Sequence, residues 1–488
     1  MKILLVHPPI REELPATNFP FGIGYIAASL LQASHTVEVL EVNAFRWKEQ
    51  QLRKKIRELD FDIVGISAIV TRYNYVKWLI PIIKEYKPKA KVIVGGTLAT
   101  TATETLLKKT LADIAVIGEG DVTIKELLQA IESEDDLRKV KGIAFRNNGD
   151  LVYTPLRERI RALDLLPFPP YHLFPMNIYI DNMRKCYQKG KLRRNRLGQI
   201  IAVRGCPFSC VFCTNSFRQG VFARTPDNII QEIKLLIKDY SIDGIMFSDE
   251  LTLFNKNWMY NLCDNLIKEN LPLKFFCNGR ADLIDIDILL KMKKAGFVEM
   301  GFGFESGSQT ALDSINKKTT VDQAINAVNL CHKVGLDVDG SFMVNTPGET
   351  RQDILKTVDF FRITDLEPGG IGFIATPYPG TALYQKAIEE AKIKDEEEFL
   401  TKLDSDATKL IINFTKLTDE QLLKMKDAAN WMIRINYCKR HPLYTIKIIK
   451  DILSRFFSHF NHKGIPWTVR YMKNRISSLV ASPYQLKS

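Results

Sequence analysis

Apolar strands alternate with helices in two successive series along the chain, and this alternation is the feature that most constrains its fold. The first series predicts strands over 2–7, 36–42, 62–67, 91–94 and 114–117. Strands that are separated by helices run in the same direction, so this series predicts a doubly wound, Rossmann-like parallel sheet. The second series begins with a predicted strand over 199–203 and contains about six strand–helix units, which predicts a full or partial (β/α) barrel.

Two changes in composition delimit these series. Leu166–Tyr171 is rich in proline, which favours an extended connection over a helix. Beyond Tyr384 the pattern becomes helical and strongly charged. We therefore expect a Rossmann-like domain over 1–160, a linker over 161–197, a barrel over 198–385 and a helical, basic C-terminal region over 386–488.

Composition and hydropathy exclude several classes of protein. With 45% hydrophobic and 25% charged residues among 488, the chain is unlike collagens, coiled coils and wholly disordered proteins. No apolar run reaches the ~20 residues that span a bilayer. The apolar start Met1–Val6 is followed by His7-Pro8-Pro9 and lacks the long apolar core and cleavage site of a signal peptide. We therefore expect a cytoplasmic protein.

Basic residues concentrate in two stretches of the chain, whose formal net charge is +12. Ten basic residues and one acidic residue lie between Arg434 and Arg475, and seven basic residues and no acidic one lie between Arg184 and Arg196. In the C-terminal stretch, Tyr444–Phe460 has apolar residues at helical spacing with basic residues between them. This segment fits an interfacial helix in peripheral contact with an anionic membrane, or a C-terminal helix packed on the barrel with a solvated basic face.

Three of the eight cysteines lie within eight residues, in the sequence Arg204-Gly205-Cys206-Pro207-Phe208-Ser209-Cys210-Val211-Phe212-Cys213. Three thiolates on one short loop can hold three irons of a [4Fe–4S] cubane, which leaves the fourth iron open for a ligand. A structural zinc site normally has four protein ligands, and no cysteine or histidine follows at zinc-finger spacing. The triplet therefore predicts an iron–sulfur cluster held by Cys206, Cys210 and Cys213.

Three loops follow predicted strands of the first series, and two of them begin with glycine. They are Ser67–Tyr73, Gly95–Thr100 and Gly118–Thr123. In a doubly wound sheet, ligands bind at the carboxyl ends of the strands. Glycine at these positions allows the backbone to approach a bulky ligand closely, but tight turns also recruit glycine. The loops therefore indicate either a ligand site or ordinary turns.

The cysteine triplet after the first predicted barrel strand resembles the signature of the radical S-adenosylmethionine (SAM) superfamily. Further motifs of that superfamily resemble Phe247-Ser248-Asp249-Glu250, Cys277-Asn278-Gly279-Arg280 and Gly303-Phe304-Glu305-Ser306-Gly307. The resemblance implies that the open iron chelates SAM and that side chains at the barrel mouth hold it. The SAM-binding residues that the resemblance implies are Phe212, Asp249, Glu250, Arg280 and Glu305.

The first series resembles the N-terminal domain of the cobalamin-binding subfamily, the class B methylases. The motifs that match are Pro8-Pro9, Phe21-Gly22-Ile23-Gly24-Tyr25, Val64-Gly65-Ile66-Ser67, Val94-Gly95-Gly96 and Gly118-Glu119-Gly120-Asp121. The cobalamin-binding residues that the resemblance implies are Ser67, Thr71, Tyr73, Gly95, Gly96, Gly118 and Glu119. Other cobalamin domains supply an axial histidine from an Asp-x-His-x-x-Gly motif, whereas Glu41–Arg46 contains no histidine. Either the cobalt takes no histidine from this motif or the domain has lost the cofactor.

The resemblance implies a radical reaction, for which the sequence assigns no catalytic residue. The reduced cluster cleaves SAM to methionine and a 5′-deoxyadenosyl radical, and cobalamin transfers a methyl group to an unactivated carbon of a lipid, tetrapyrrole or natural product. A reductant such as flavodoxin or ferredoxin supplies the electron. The alternative is radical oxidation, cyclisation or carbon–carbon coupling without methyl transfer. A tRNA-modifying protein is an alternative of another class, but no RNA-binding module is recognisable, so nucleic acid is not an expected partner.

Overall fold

The structure is a computed structural model that describes residues 1–11, 14–187, 190–214, 220–403, 407–444 and 446. The amphipathic segment predicted over 444–460 lies almost wholly outside the described residues, as does the basic tail that follows it. The chain divides into two compact units, whose bounds differ from the expected domain bounds. The first unit comprises Met1–Met300 and Thr376–Ile412, and the second comprises Gly301–Ala375 and Asn413–Ser488.

Seven strands of the first unit form one sheet. They are β1 Lys2–His7, β2 Thr36–Glu41, β3 Ile63–Ser67, β4 Lys91–Gly95, β5 Ile114–Val116, β6 Ile143–Asn147 and β7 Asp150–Tyr153. Their order is β2-β1-β3-β4-β5-β6-β7. The first five strands pair in parallel, with Lys2 opposite Thr36 and Ile63 opposite Lys91. The predicted doubly wound parallel sheet is thus confirmed.

An antiparallel hairpin, β6–β7, extends this sheet beyond the expected strands. Its turn contains Asn148 and Gly149, whose φ angles are 51° and 93°. Asn-Gly tolerates these left-handed conformations and is a strong hairpin signal. The strand–helix alternation did not reveal the hairpin, because its two strands are joined by a turn and not by a helix.

Seven helices accompany this sheet. They are α1 Phe21–Gln32, α2 Val42–Phe45, α3 Glu49–Glu58, α4 Tyr73–Tyr86, α5 Gly96–Thr101, α6 Thr103–Lys109 and α7 Gly120–Glu132. Helix α1 packs against α7 and also contacts β1 and β2. Residues 118–123 were expected to form a loop, but α7 already begins at Gly120. The connection between β5 and α7 therefore consists of Ile117, Gly118 and Glu119.

The predicted linker is anchored to the N-terminal part of the first unit by aromatic packing. It contains helix α8, Met176–Cys186. The rings of Tyr171, Phe174 and Tyr179 surround that of Phe19, with centroid separations of 4.9, 4.9 and 6.3 Å. All four residues are buried, so this segment contributes to the core of the unit.

The second series begins within the first unit. Its strands are β8 Leu197–Ile200, β9 Val203–Arg204, β10 Phe222–Ala223, β11 Gly244–Phe247, β12 Lys274–Gly279 and β13 Phe297–Glu305. The helices between them are α9 Pro226–Tyr240, α10 Lys256–Glu269 and α11 Ile286–Lys294. Strands β8, β11 and β12 pair in parallel, as the barrel prediction requires, whereas β9 and β10 form a separate antiparallel pair.

The second unit contains the end of β13 and the strands β14 Asp337–Val344 and β15 Phe373–Ile374. The second sheet has the order β15-β14-β13-β12-β11-β8, and its six strands make the predicted barrel a partial one. The remaining helices are α12 Gln309–Ser314, α13 Val321–Val334, α14 Arg351–Thr364, α15 Ala382–Glu389, α16 Glu396–Lys402 and α17 Asp419–Arg440. Of these, α15 and α16 belong to the first unit. No helix in the described part of the chain combines the length and apolarity that crossing a bilayer requires.

Candidate active site

The cysteine stretch, residues 206–213, follows β9 directly. Gly205 has a φ of +99°, a left-handed conformation that glycine adopts without strain and that turns the chain out of the strand. The N–H of Cys213 donates to the carbonyl of Cys210 at 3.1 Å, so the last two cysteines share one tight turn. Cys210 is buried, Cys206 and Cys213 are half-buried, and no cysteine of the chain is in a disulfide.

Neighbouring elements hold both ends of the cysteine stretch. Upstream, Arg204 of β9 pairs with Phe222 of β10, which closes the loop at its base. Downstream in α15, the N–H of Leu383 donates to the carbonyl of Val211 at 2.9 Å. Phe212, a predicted SAM contact, lies half-buried in the stretch itself.

Asp249 supports the strand that precedes the cysteines. Its Oδ1 accepts the N–H groups of Ala202 and Val203, at 2.7 and 3.0 Å. Burial raises the pKa of the Asp249 carboxyl to about 7, although these two hydrogen bonds act to lower it. Asp249 was expected to bind SAM, and the structure engages its carboxyl with the backbone at the start of β9.

Glu250, the second carboxylate of the same predicted motif, is exposed and lines a cavity of about 250 Å³ in the first unit. Ser248, which directly precedes Asp249 in the chain, lines the same cavity. The N–H of Gly205 donates weakly to Glu250 Oε2, at 3.4 Å. Of the two predicted carboxylates, Glu250 is therefore the one that faces open space beside the cysteine stretch.

Arg280 also borders the cysteine stretch. Its guanidinium lies 3.3 Å from the ring centroid of Phe208, between the first two cysteines, and its Nε donates to Asp282 at 3.0 Å. The preceding turn of chain is fixed as well, because the Asn278 side chain donates to the carbonyl of Asp249 at 3.2 Å. The first unit thus places Arg280 against the cysteine stretch, and its assignment as a SAM contact stays a prediction.

Glu305 belongs to the second unit, where it ends β13 in a left-handed conformation with φ of 65°. It is buried and accepts a hydrogen bond from Lys317 Nζ at 2.8 Å. The ion pair offsets the cost of burying both charges. Its assignment as a SAM contact stays a prediction.

Five of the seven predicted cobalamin-binding residues line the cavity that Glu250 faces. They are Ser67, Gly95, Gly96, Gly118 and Glu119. Thr71 and Tyr73 are not among its lining residues. The hydroxyl of Tyr73 donates to Glu397 at 2.8 Å, and Thr71 Oγ1 is buried without a hydrogen-bond partner among the described residues.

The glycines of this cavity have different reasons for being glycine. At Gly96, with φ of +82°, a Cβ would lie 2.5 Å from the carbonyl oxygen of Ala68, so the fold itself demands glycine. At Gly118 the φ of +80° favours glycine, but a Cβ would meet nothing within 4 Å. At Gly95 neither the backbone conformation nor a neighbour requires glycine, since a Cβ there would also point into open space. This open space fits the close approach of a bulky planar ligand.

Arg204 lines the cavity as well, and the sequence motifs did not single it out. Its guanidinium donates to both carboxylate oxygens of Asp121, at 3.0 and 3.1 Å, and lies 4.6 Å from the ring centroid of Tyr25. The signal that could have found it is a charged side chain directly before the Gly-Cys pair that starts a ligand loop.

The donor set of the cysteine stretch fits an iron–sulfur cluster. In the described ranges, no three His, Cys, Asp or Glu side chains are arranged so that they could hold a metal ion. The three thiols nevertheless lie on one short loop, and thiolate is the ligand that iron–sulfur clusters take. The assignment of Cys206, Cys210 and Cys213 therefore rests on spacing and donor chemistry.

Comparison with protein families finds two matches. Residues 200–361 match the radical SAM superfamily, and residues 9–128 match the B12 binding domain. The first match covers the cysteine stretch with β11 to β14, and the second covers the glycines of the cavity.

Similar proteins include an uncharacterised methyltransferase of Pyrococcus horikoshii, with 32% identity over 99% of this chain and 99% of its own. The anaerobic magnesium-protoporphyrin IX monomethyl ester cyclase of Rubrivivax gelatinosus is 28% identical over 82% of this chain and 72% of its own. Among solved structures, the cobalamin-dependent S-adenosylmethionine radical enzyme OxsB aligns with a TM-score of 0.71 and 16% identity, over 98% of this chain and 76% of its own.

Proposed function

Because the chain belongs to the family of cobalamin-dependent radical SAM methyltransferases, we propose that it transfers a methyl group to an unactivated carbon. The observation that supports this proposal is a single cavity in the first unit. Gly95 and Gly118 open onto it from the N-terminal sheet, while Ser248 and Glu250, beside the cysteine stretch, line it from the barrel. A methyl donor and a radical source would need this proximity to act on one substrate.

The cofactors are a [4Fe–4S] cluster, SAM and cobalamin. When bound, they supply the electron, the radical and the methyl group, and the chain supplies position and exclusion of water. We assign Cys206, Cys210 and Cys213 as the cluster ligands. Their thiols must be deprotonated to bind iron.

We assign Glu250 and Arg280 to the two charged ends of the amino acid part of SAM. The exposed carboxylate of Glu250 can accept hydrogen bonds from an ammonium group. The guanidinium of Arg280, already beside Phe208, can donate to a carboxylate. Phe212 and Glu305 remain further proposed contacts, and Asp249 acts on this site through the backbone that it holds.

We assign the corrin to Ser67, Gly95, Gly96, Gly118 and Glu119, with Thr71 and Tyr73 as outer contacts. Glu41–Arg46 contains no histidine, so this segment would offer no histidine to the cobalt. The electron donor is a reductant such as flavodoxin or ferredoxin. We place the protein in the cytoplasm, in keeping with cysteines that form no disulfides.

The substrate class that we propose is a lipid, a tetrapyrrole or a natural product. The similarity to a magnesium-protoporphyrin ester cyclase supports testing tetrapyrroles first. The basic residues beyond Ile446, which lie outside the described residues, would suit an anionic substrate or peripheral contact with a membrane.

Product analysis of the reconstituted protein tests the proposal. With SAM, hydroxocobalamin, a reductant and a panel of tetrapyrroles and lipids, we expect S-adenosylhomocysteine and 5′-deoxyadenosine to form together with a methylated product. Deoxyadenosine without S-adenosylhomocysteine would contradict methyl transfer and favour oxidation, cyclisation or coupling. Formation of neither nucleoside with any substrate would contradict the radical mechanism.

A further inference from the structure

A buried ionic cluster links the residue before the cysteine stretch to the connection between β5 and α7. We call it the Arg204 cluster, and its members are Arg204, Arg159, Glu119 and Asp121. Besides its two hydrogen bonds to Asp121, the Arg204 guanidinium lies 3.4 Å from Glu119 Oε1. The side chains of Arg204, Asp121 and Glu119 are only 12%, 6% and 5% exposed.

The same cluster reaches the other side of the cysteine stretch. Arg159 Nη2 lies 3.5 Å from Glu119 Oε1, and Arg159 Nη1 donates to the carbonyl of Gly220 at 2.7 Å. The Arg159 guanidinium also lies 5.2 Å from the ring centroid of Phe222, the β10 residue opposite Arg204. Glu119 thus contacts arginines that hold residues on both sides of the cysteines.

The backbone around Glu119 is fixed by these contacts too. Glu119 Oε2 accepts the N–H of Ile160 at 2.8 Å, so both of its carboxylate oxygens are engaged. Its two neighbours in the chain, Gly118 and Gly120, also line the cavity. Glu119, whose side chain is held at both oxygens, thus lies between two glycines that line the cavity.

The two guanidinium and two carboxylate groups balance each other in charge. Removing one member would leave a buried charge without its partner, which costs far more than breaking an exposed ion pair. The hydrogen bonds of Arg204 to both oxygens of Asp121 also require the planar fork of arginine, which lysine lacks. The cluster is therefore a stiff connection with a defined geometry.

We propose that the Arg204 cluster is a positioning device. It couples binding of the iron–sulfur group at the cysteines to binding of cobalamin at the glycines. This inference rests on the proposed function, since it needs both cofactors. Binding of Cys206 to iron fixes the backbone two residues from Arg204, and Arg204 then fixes Asp121, Glu119 and the Gly118–Gly120 backbone. Because coupling free energies are reciprocal, cobalamin must also strengthen retention of the iron–sulfur cluster.

The test compares cobalamin affinity in the presence and absence of the iron–sulfur cluster. Hydroxocobalamin is titrated, by its absorbance spectrum, into anaerobically reconstituted full-length protein and into the same protein stripped of iron by a chelator. In the unmodified protein we expect cluster loading to lower the dissociation constant about tenfold. In Asp121→Asn, with unchanged iron content, we expect the ratio of the hydroxocobalamin dissociation constants without and with the iron–sulfur cluster to approach one.

Two further variants make the test specific. Arg204→Lys keeps the charge but loses the planar guanidinium, so we expect its ratio to lie between those of the unmodified protein and Asp121→Asn. If Asp121→Asn does not fold, Arg204→Lys alone decides the question. Glu126→Gln is the matched control, because Glu126 lies on the same helix α7 in an exposed ion pair with Arg157. We expect it to keep the unmodified ratio.

A ratio of one in the unmodified protein would overturn the coupling and leave the proposed function intact. The same holds if Asp121→Asn and Arg204→Lys both keep the ratio of the unmodified protein. Failure of the unmodified protein to take up iron or hydroxocobalamin would overturn the proposed function and the coupling together. The spectrum of each loaded cofactor distinguishes these results.

Discussion

Two adjacent carboxylates, Asp249 and Glu250, have opposite surroundings and therefore different chemistry. In the segment that follows β11, Asp249 is buried and accepts the N–H groups of Ala202 and Val203, whereas Glu250 is exposed and lines the cavity. The burial that raises the pKa of Asp249 to about 7 makes it a poor permanent anion. Glu250 is exposed and faces the cavity, which makes it the better placed ligand for a cation.

Replacing Glu250 with Gln tests whether Glu250, rather than Asp249, binds SAM. We expect SAM to bind about tenfold more weakly, because a hydrogen bond between charged groups is lost, while the melting temperature stays unchanged. Equilibrium dialysis with the cluster-loaded protein measures the affinity. Glu420→Gln, at an exposed carboxylate on α17, is the control, and equal affinity in both variants would remove Glu250 from the SAM site.

Gly95 offers a second test at the residue scale. Nothing lies within 4 Å of the position that its Cβ would take, so Gly95→Val should leave stability within about 0.5 kcal/mol of the unmodified protein. The added side chain would occupy the space that we assign to the corrin, and we expect hydroxocobalamin affinity to fall at least tenfold. Gly372→Val, where a Cβ also meets nothing, is the matched control. Unchanged affinity in Gly95→Val would place the corrin elsewhere.

The connection between β14 and α14 shows how one element in the second unit is held. Glu349 Oε2 accepts the N–H groups of Asn345 and Thr346, at 2.6 and 3.2 Å. The N–H of Gly348 donates to the carbonyl of Phe414, at 2.8 Å, which ties the connection to the segment before α17. Burial raises the pKa of the Glu349 carboxyl to about 8.

This raised pKa predicts a pH dependence of stability. Between the ordinary pKa of 4.5 and about 8, folded Glu349 holds its proton more tightly than unfolded Glu349 does. The free energy of unfolding therefore falls as pH rises through this window, by up to a few kcal/mol, and then levels off. We expect Glu349→Gln, which cannot ionise, to lose less stability between about pH 5 and about pH 9 in urea unfolding. An identical loss in both proteins would contradict a buried, protonated Glu349.

Sequence patterns predicted the elements of both sheets well where apolar strands alternate with helices. The predicted strand over 2–7 matches β1 residue for residue, and the predicted strand over 62–67 contains the whole of β3. The short pair β9–β10 was missed, because two-residue strands carry no periodic pattern and depend on pairing across the cysteine loop. The start of α7 was also missed, since Gly118-Glu119-Gly120 has the composition of a turn.

At the scale of the whole molecule, the important contacts join residues far apart in sequence. Arg204 and Asp121 are 83 positions apart, and Phe19 and Tyr171 belong to the predicted domain and linker respectively. No local pattern reports such pairs, so the motifs identified residues that line the cavity but not the Arg204 cluster. The sequence therefore predicted which cofactors the chain takes, whereas the network between their sites required the structure.

Above all, we propose that three cysteines of one loop hold a [4Fe–4S] cluster with one iron open to SAM. Electron paramagnetic resonance of the anaerobically reconstituted, reduced protein, recorded with and without SAM, tests it most directly. We predict the signal of a reduced cubane whose g values change when SAM is added, no such signal when Cys206, Cys210 or Cys213 is replaced by Ala, and an unaltered one in Cys186→Ala. A reconstituted protein without a cubane signal, or with one that SAM leaves unchanged, would contradict the account.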